Sequence, residues 1–399
     1  MRKGGSYRTG VEGCRGITVT MSIAIVLGSL APYTARIYDA YAERFGEDVH
    51  TFSCAALEPH RHWRIAPPRY MTHTVLPGLR WHVSDHSHIY LNPALLPALM
   101  RSRPQLIVAA AFSPTMIAAA AYARLARIPY GIATDGTLLS DPGETSFLHG
   151  AMRRAIVPGA DFAICGSQAS VRFLERWGLA VGRGVEVPIV SAWDAPVTIP
   201  SFAERPYDVI FAGGVNERYK GALFFAAVLA RLAERGRKLR VRVTGAGPQL
   251  AELRARLEAA GITARIDGAL QPEEIPGAMS SARLLMFPSR NDPWGLVANE
   301  AVLCGTPVLG SPHATSSPLL VERFGVGLVR PLEVEAWCAA TLDMIGSEDR
   351  WKTFMARRDE AVAWFSLDTA VTALHRAFEI GRASRTTRRS DIARPREQV

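Results

Sequence analysis

Between residues 207 and 345, short apolar runs alternate with segments of helical periodicity, and few patterns restrict a fold so tightly. Residues 208–212, 239–244, 264–267, 283–287 and 307–309 read as strands. Residues 221–235, 249–260, 272–280, 296–303, 318–324 and 333–345 read as helices. Strands buried on both faces appear as continuous apolar runs, and a helix after each strand forces parallel pairing. The expectation is α/β with a parallel, doubly wound sheet.

The first half repeats the rhythm less sharply. Strands are expected at 23–27, 49–54, 106–111, 130–134 and 162–165. Helices are expected at 33–45, 115–127, near 146–157 and at 167–177, the last capped by Ser167. Residues 58–104, rich in His, Pro and Trp, read as irregular. The stretch 191–206 holds Pro196, Pro200 and Pro206 with little periodicity and reads as a linker. Two α/β domains are therefore expected, 21–196 and 204–364, facing a cleft at the carboxyl ends of their strands, where ligands bind in such folds.

Charge narrows the function. The net charge is +9 over 399 residues, but residues 1–20 carry +3 and residues 382–399 carry +4. Both ends read as solvated tails. A basic tail can touch an anionic membrane surface, but nucleic-acid binding would need the charge on the cleft. The five cysteines are odd in number and none pair at metal-ligand spacing, which fits a reducing cytoplasm. Histidines 60, 62, 73, 82, 86 and 88 are irregularly spaced, so no metal site is expected. The basic start followed by the apolar run 17–27 mimics a signal peptide. It also reads as a first buried strand, with Met21 directly before it as the expected natural start and 1–20 as an extension. The apolar stretch 106–126 is broken by Ser113-Pro114-Thr115 and reads as strand, loop and helix.

Three segments carry chemistry. The first runs from Pro288 to Ser311, through Trp294-Gly-Leu-Val-Ala-Asn-Glu-Ala301. Asp292 and Glu300 are separated by seven residues, the first in a loop and the second inside the following helix. The N–H groups of Gly295, Leu296 and Val297 open that helix and can meet phosphate or sugar oxygens. Glu300 can accept two hydrogen bonds from a ribose diol, although a capped surface helix with a solvated carboxylate explains the bare spacing better. The second segment, Phe211-Ala-Gly-Gly-Val-Asn-Glu-Arg-Tyr-Lys-Gly221, places Gly213 and Gly214 after a strand and puts Arg218 and Lys220 where they can neutralise a diphosphate. The third, Val243-Thr-Gly-Ala-Gly-Pro-Gln-Leu250, includes Gly245 but has Leu250 where a dinucleotide fingerprint needs its third glycine, so an oxidoreductase is poorly supported. In the first half, Gly28-Ser-Leu-Ala-Pro-Tyr33 offers Ser29, Pro32 and Tyr33 to the cleft, and Asp135 ends a strand on the same edge.

Taken together, residues 207–331 resemble the donor-binding half of family-4 glycosyltransferases, in which two acidic residues separated by seven precede a Gly-Thr-Pro-Val strand, here 305–308. The resemblance implies the GT-B architecture of two Rossmann-like domains, with a terminal helix (365–381) packing back on the first. It implies transfer from a nucleotide-sugar donor with retention of configuration and without a metal or other cofactor. Glu300 would bind the ribose, Asp292 would lie near the donor sugar, and Lys220 and Arg218 would hold the leaving phosphate, with Asp292 as a catalytic residue. The acceptor, a lipid-linked glycan among the expectations, would lie on the first domain beside Ser29, Pro32, Tyr33 and Asp135. Work in polysaccharide or glycolipid assembly at the inner face of a membrane would follow. The chain departs from the family in two places: Asp292 replaces the usual Glu, and Gly214 stands where the family has Arg. A nucleotide-sugar epimerase and an inactive sugar-nucleotide-binding scaffold of the same fold stay open as alternatives.

Overall fold

The computed structural model describes residues 21–393, apart from 59, 60, 62, 85, 86, 142, 144 and 145. The expected extension 1–20, His60, His62, His86 and residues 394–399 of the expected tail lie outside the described residues, as do the side chains of His82 and His88.

The first half contains β1 (Ser22–Leu27), α1 (Pro32–Phe45), β2 (Asp48–Ser53), β3 (Thr72–Val75), β4 (Leu79–Ser84), β5 (Ser87–Leu91), α2 (Leu95–Ser102), β6 (Leu106–Ala110), α3 (Pro114–Leu125), β7 (Tyr130–Thr134), α4 (Phe147–Ile156), β8 (Phe162–Cys165), α5 (Gln168–Arg176) and β9 (Gly184–Glu186). Seven of its strands form one parallel sheet in the order β3-β2-β1-β6-β7-β8-β9. The second half contains β10 (Val209–Ala212), α6 (Glu217–Lys220), α7 (Ala222–Glu234), β11 (Val241–Thr244), α8 (Leu250–Ala259), β12 (Ala264–Gly268), α9 (Ile275–Ser280), β13 (Leu285–Phe287), α10 (Leu296–Leu303), β14 (Val308–Gly310) and β15 (Gly327–Val329). Its six strands are also parallel, in the order β12-β11-β10-β13-β14-β15. Counting only the strands within each parallel sheet, both orders begin 3-2-1-4-5-6, the doubly wound Rossmann arrangement.

Each sheet is apolar on both faces, as continuous runs such as Ile23–Leu27 and Val209–Phe211 require. On the first sheet, Val26, Phe52, Ile107 and Ile132 face α3, while Ile25, Val49, Val108 and Phe162 face α1 and the last helix. That helix, reached after α11 (Val334–Ile345), α12 (Glu348–Met355) and α13 (Arg358–Trp364), is α14 (Leu367–Ala393). It does pack back on the first sheet: Phe378 meets Tyr41 edge-on at 4.9 Å, and His375 stacks on Phe45 at 4.0 Å. Gly381 permits the approach, since a Cβ there would stand 2.8 Å from the Phe162 ring.

Two expectations need correction. Residues 58–104 are not irregular throughout: they hold β3, the antiparallel β4–β5 hairpin and α2. Leu79-Arg-Trp-His-Val-Ser84 alternates apolar and polar residues, a strand signal only six residues long that the surrounding His, Pro and Trp obscure. The expected tail from 382 continues α14 to Ala393, because Arg382 pairs with Glu47 at 2.7 Å and Ser384 is buried beside Arg183. The expected helix 221–235 is α7, and a one-turn helix that was not expected, α6, precedes it and ends at Gly221.

Candidate active site

In an open parallel sheet the crevice opens where the strand order reverses. In the second sheet that point lies between β10 and β13, so the loops leaving these strands must build any site. Gly221 joins them. It caps α6 in the left-handed conformation (φ +67°), and a Cβ there would stand 2.1 Å from the carbonyl oxygen of Pro288 at the end of β13. Only glycine lets the chain after β10 lie against the chain after β13. This contact carries Lys220 to Asp292, and the two form an ion pair. Asp292 is largely buried and has the Ser289 hydroxyl 3.4 Å away. Its backbone is held from β14's side: its N–H donates to His313 O at 3.1 Å.

The neighbouring groups have structural partners. Glu217 accepts from the N–H groups of Leu223 (2.7 Å) and Phe224 (3.0 Å), closing the start of α7, and its other oxygen takes Arg290. Arg218 is exposed and stacks on Tyr219, with its guanidinium carbon 5.4 Å from the ring centre. Residues two apart on a helix do not share a side, so Arg218 is not turned with Lys220 toward Asp292.

The glycine loops after β10 and β11 lie back to back. Gly213 donates to Thr244 O at 3.0 Å and Val215 to Ala246 O at 3.0 Å. Gly245 has φ +134°, and a Cβ on it would stand 1.8 Å from Gly213 O. Gly214 is exposed, and a Cβ on it would have nothing within 4 Å.

On α10 the left-handed Gly295 (φ +91°) packs against the Phe287 ring, and its carbonyl accepts from Ser316 at 3.3 Å. Leu296 and Val297 open the helix with N–H groups that have no backbone acceptor among the described residues. Glu300 sits one turn in, with no hydrogen-bond or ion-pair partner among the described residues, and burial pushes its carboxyl up to about 8. Beside it Asn299 is fully buried. It accepts from the Trp294 indole at 2.9 Å and donates to Ile189 O, beyond β9, at 2.8 Å. Asn299 therefore ties the helix of Glu300 to the first half of the chain.

Across the crevice stand Tyr33, near the start of α1, and Asp135, after β7. Burial pushes the Tyr33 phenol up to about 12, with Arg61 opposing and the charges of Asp135, Glu58 and Asp292 reinforcing. The Asp135 carboxyl is raised by desolvation first, then by Asp292, and lowered by its own backbone N–H and by Arg61. Asp135 is an exposed residue whose carboxyl is nonetheless crowded by protein. These influences place Tyr33 and Asp135 near Asp292, with Arg61 beside the first two. Ser29 and Pro32 lie on the same loop, part-buried. A second link between the halves runs from the N–H of Arg64 to Gln271 Oε1 at 2.9 Å. Among the described residues no group of three or more His, Cys, Asp or Glu is placed to hold a metal.

Residues 206–347 match the family model described as Glycosyl transferases group 1. The second domain is a group 1 glycosyl transferase domain. Similar curated proteins include a 2-deoxystreptamine N-acetyl-D-glucosaminyltransferase from Streptomyces fradiae, 34% identical over 36% of this chain and 35% of that protein. A D-inositol 3-phosphate glycosyltransferase from Corynebacterium jeikeium is 29% identical over 42% of each chain. The chain thus spans less than half the length of the curated relatives it matches. The whole architecture is GT-B: Anabaena HepE, solved with UDP and glucose, overlays with TM-score 0.70 over 90% of this chain and 99% of HepE, at 18% identity. WaaG, a glycosyltransferase involved in lipopolysaccharide biosynthesis, overlays with TM-score 0.66 over 90% and 99%, at 15% identity.

Within the group 1 domain, sequence reasoning missed Glu217, Arg290 and Asn299, and in the first half it missed Arg61. Glu217 and Arg290 are 73 residues apart and meet only because β10 and β13 are neighbours. Asn299 lies inside the motif, but its partner Ile189 is 110 residues away and no local signal marks the contact. Arg61 lies in the stretch that carried no periodic signal.

Proposed function

We propose that this chain transfers a sugar from a nucleotide-sugar donor to an acceptor hydroxyl, with retention of configuration and without a metal. The observation that carries the proposal is the pairing of Lys220 with Asp292 at the switch point, one loop away from the partnerless Glu300. The donor ribose would meet Glu300, the diphosphate would meet Lys220 and the open N–H groups of Leu296 and Val297, and the sugar would lie toward Asp292. A phosphate displaces the carboxylate from Lys220 by offering more charge and more acceptor oxygens. As the sugar–phosphate bond breaks, negative charge grows on the departing phosphate, and the fixed cation and helix N–H groups stabilise it more than they stabilise the ground state. A phosphate oxygen can take the acceptor proton, so no separate protein base is required. Arg218 is solvent-facing in this state and would have to swing to reach a phosphate. Asp135 would orient the acceptor hydroxyl, with Ser29, Pro32 and Tyr33 lining that side. In this reading 21–196 forms the acceptor unit with α14 bracing it, and 204–364 forms the donor unit. Closing them excludes water that would hydrolyse the donor.

The HepE complexes hold UDP and UDP-glucose, and an O-antigen chain mannosyltransferase B from Escherichia coli is 31% identical over 28% of this chain. They support a nucleotide-sugar donor and a place in polysaccharide or glycolipid assembly. No described helix is long and apolar enough to cross a membrane. The test is calorimetric titration with UDP, GDP and ADP and their common sugars, with Glu300→Ala alongside. One nucleotide should bind and the variant should lose it. No binding by the wild type at millimolar concentration would sink the proposal.

A further inference from the structure

The β4–β5 hairpin turns its apolar face to solvent. Its register sets Leu79 opposite Leu91 and Trp81 opposite Ile89, with Arg80 opposite Tyr90 between them. Side chains alternate across a strand, so Leu79, Trp81, Ile89 and Leu91 share one face, and Arg80 and Tyr90 share the other. The face with the polar groups is the inner one. Tyr90 is buried in the core with Leu76, Leu95 and Leu99, and Arg80 donates to Leu57 O at 3.2 Å. On the outer face Leu79 is 59% exposed, Trp81 48% and Leu91 40%. An antiparallel pair with one face in water ordinarily turns polar residues outward. The next element, α2, repeats the arrangement. Leu95, Ala98 and Leu99 pack into the same core as Tyr90, while Leu96 and Met100, one turn apart, are exposed.

Charge selects the occupant of this face. Residues 64–134 hold seven arginines, one aspartate and neither lysine nor glutamate. Arg101 and Arg103, both exposed, follow Met100 at the end of α2. Exposed apolar surface rimmed by charge marks a protein or a membrane contact. A second copy of this chain, docked face to face, would bring the same arginines together, with one aspartate in the stretch to answer seven of them. An anionic lipid surface answers both features at once: it admits apolar side chains and attracts arginine. The indole of Trp81 suits the boundary between headgroups and acyl chains.

We propose that the outer face of the β4–β5 hairpin and α2 docks on a bilayer surface that carries anionic lipid. The hairpin's inner face meets the loop that carries Ser29 and Tyr33: the Tyr90 ring would stand 3.3 Å from a Cβ on Gly28, and the Tyr90 hydroxyl lies 3.5 Å from Glu58 Oε1. The docking face therefore lies behind the first half's side of the crevice. The lipid contact stands without the transfer reading; with it, docking brings the acceptor side of the crevice to the membrane surface.

The test is co-sedimentation of the whole protein, without donor, with vesicles of phosphatidylcholine alone and of phosphatidylcholine mixed with about one-third phosphatidylglycerol. Binding should be saturable on the mixed vesicles, at least tenfold weaker on the neutral ones, and weakened by added salt. Two variants alter the face from different elements: Leu79→Ser with Trp81→Ser on the hairpin, and Met100→Glu with Arg101→Glu on α2. All four residues are exposed. Each variant that melts like the wild type should bind the mixed vesicles at least tenfold more weakly, and either one suffices if the other is destabilised. The basic ends of the chain are common to every protein compared, so a difference among them reports the face. Absence of binding to the mixed vesicles, equal binding to the neutral ones, or indifference to a folded variant would each overturn the proposal. Dimerisation that the hairpin variant abolishes, with no vesicle binding, would overturn it in favour of a second copy. Nucleotide titration without vesicles is a separate measurement, so loss of this inference and loss of the transfer reading are distinguishable.

Discussion

Lys220 and Asp292 are 72 residues apart and form an ion pair across the line where the second sheet reverses its strand order. Without donor, each neutralises the other. Lys220→Ala should therefore do two things. It leaves a largely buried carboxylate unpaired, at about 1–3 kcal/mol, less than for a fully buried pair because Lys220 keeps part of its surface exposed. It also removes the cation from the leaving phosphate, which should lower turnover roughly 100-fold or more. Thermal melts and donor-turnover assays on the same preparation separate the two effects, and unchanged turnover would refute the assignment.

Glu300 ties stability to pH. Its folded carboxyl titrates near 8, above the ordinary carboxylate range, because burial penalises the charge. The native state then holds a proton that the unfolded state has released, so the contribution is fully present below the unfolded value and is lost as pH rises through about 8. Glu300→Gln should melt several degrees higher than the wild type at pH 9 and close to it at pH 4. Nucleotide affinity should run the other way: it should strengthen from pH 7 to 9 in the wild type, as the carboxylate becomes available to the ribose, and stay flat in the variant.

Gly245 allows two loops to touch. With φ +134° and Gly213 O standing 1.8 Å from the position of a Cβ, Gly245→Ala must push the loops apart. Nucleotide affinity should fall at least tenfold, measured by titration, while the far half keeps its fold by circular dichroism.

Gly214 is the opposite case. It is exposed with free space around it, and the family resemblance places Arg there. Gly214→Arg should fold normally and bind nucleoside diphosphate several-fold more tightly, with a steeper salt dependence from the added charge. Weaker binding would show that the loop serves another purpose.

Asn299→Ala strands the Trp294 N–H and the Ile189 carbonyl. The cost should be roughly 1–3 kcal/mol per buried group left unsatisfied, seen as a lower Tm. Because this bond links the two halves, the donor KM should rise more than kcat falls.

The order of elements was legible because each strand is short, apolar and followed by a helix, and that information is local. The motif around Asp292 and Glu300 was legible for the same reason: loop, helix start and carboxylate fall within thirteen residues. The β4–β5 hairpin and the extension of α14 were not, since the alternation of the one spans only six residues amid His, Pro and Trp and the other meets partners such as Glu47, more than 300 residues away.

What the sequence determined by itself was the α/β class, the two halves and the loop-to-helix segment around Asp292 and Glu300, through apolar periodicity and glycine placement. Tertiary structure alone decided that Lys220 faces Asp292 while Arg218 faces solvent, that Asn299 reaches Ile189, and that Arg61, Tyr33 and Asp135 share one crevice. These pairings join residues far apart in the chain. Parallel strands meet only after helical crossovers, so contacts between their loops are set by strand order in the sheet and not by spacing along the chain.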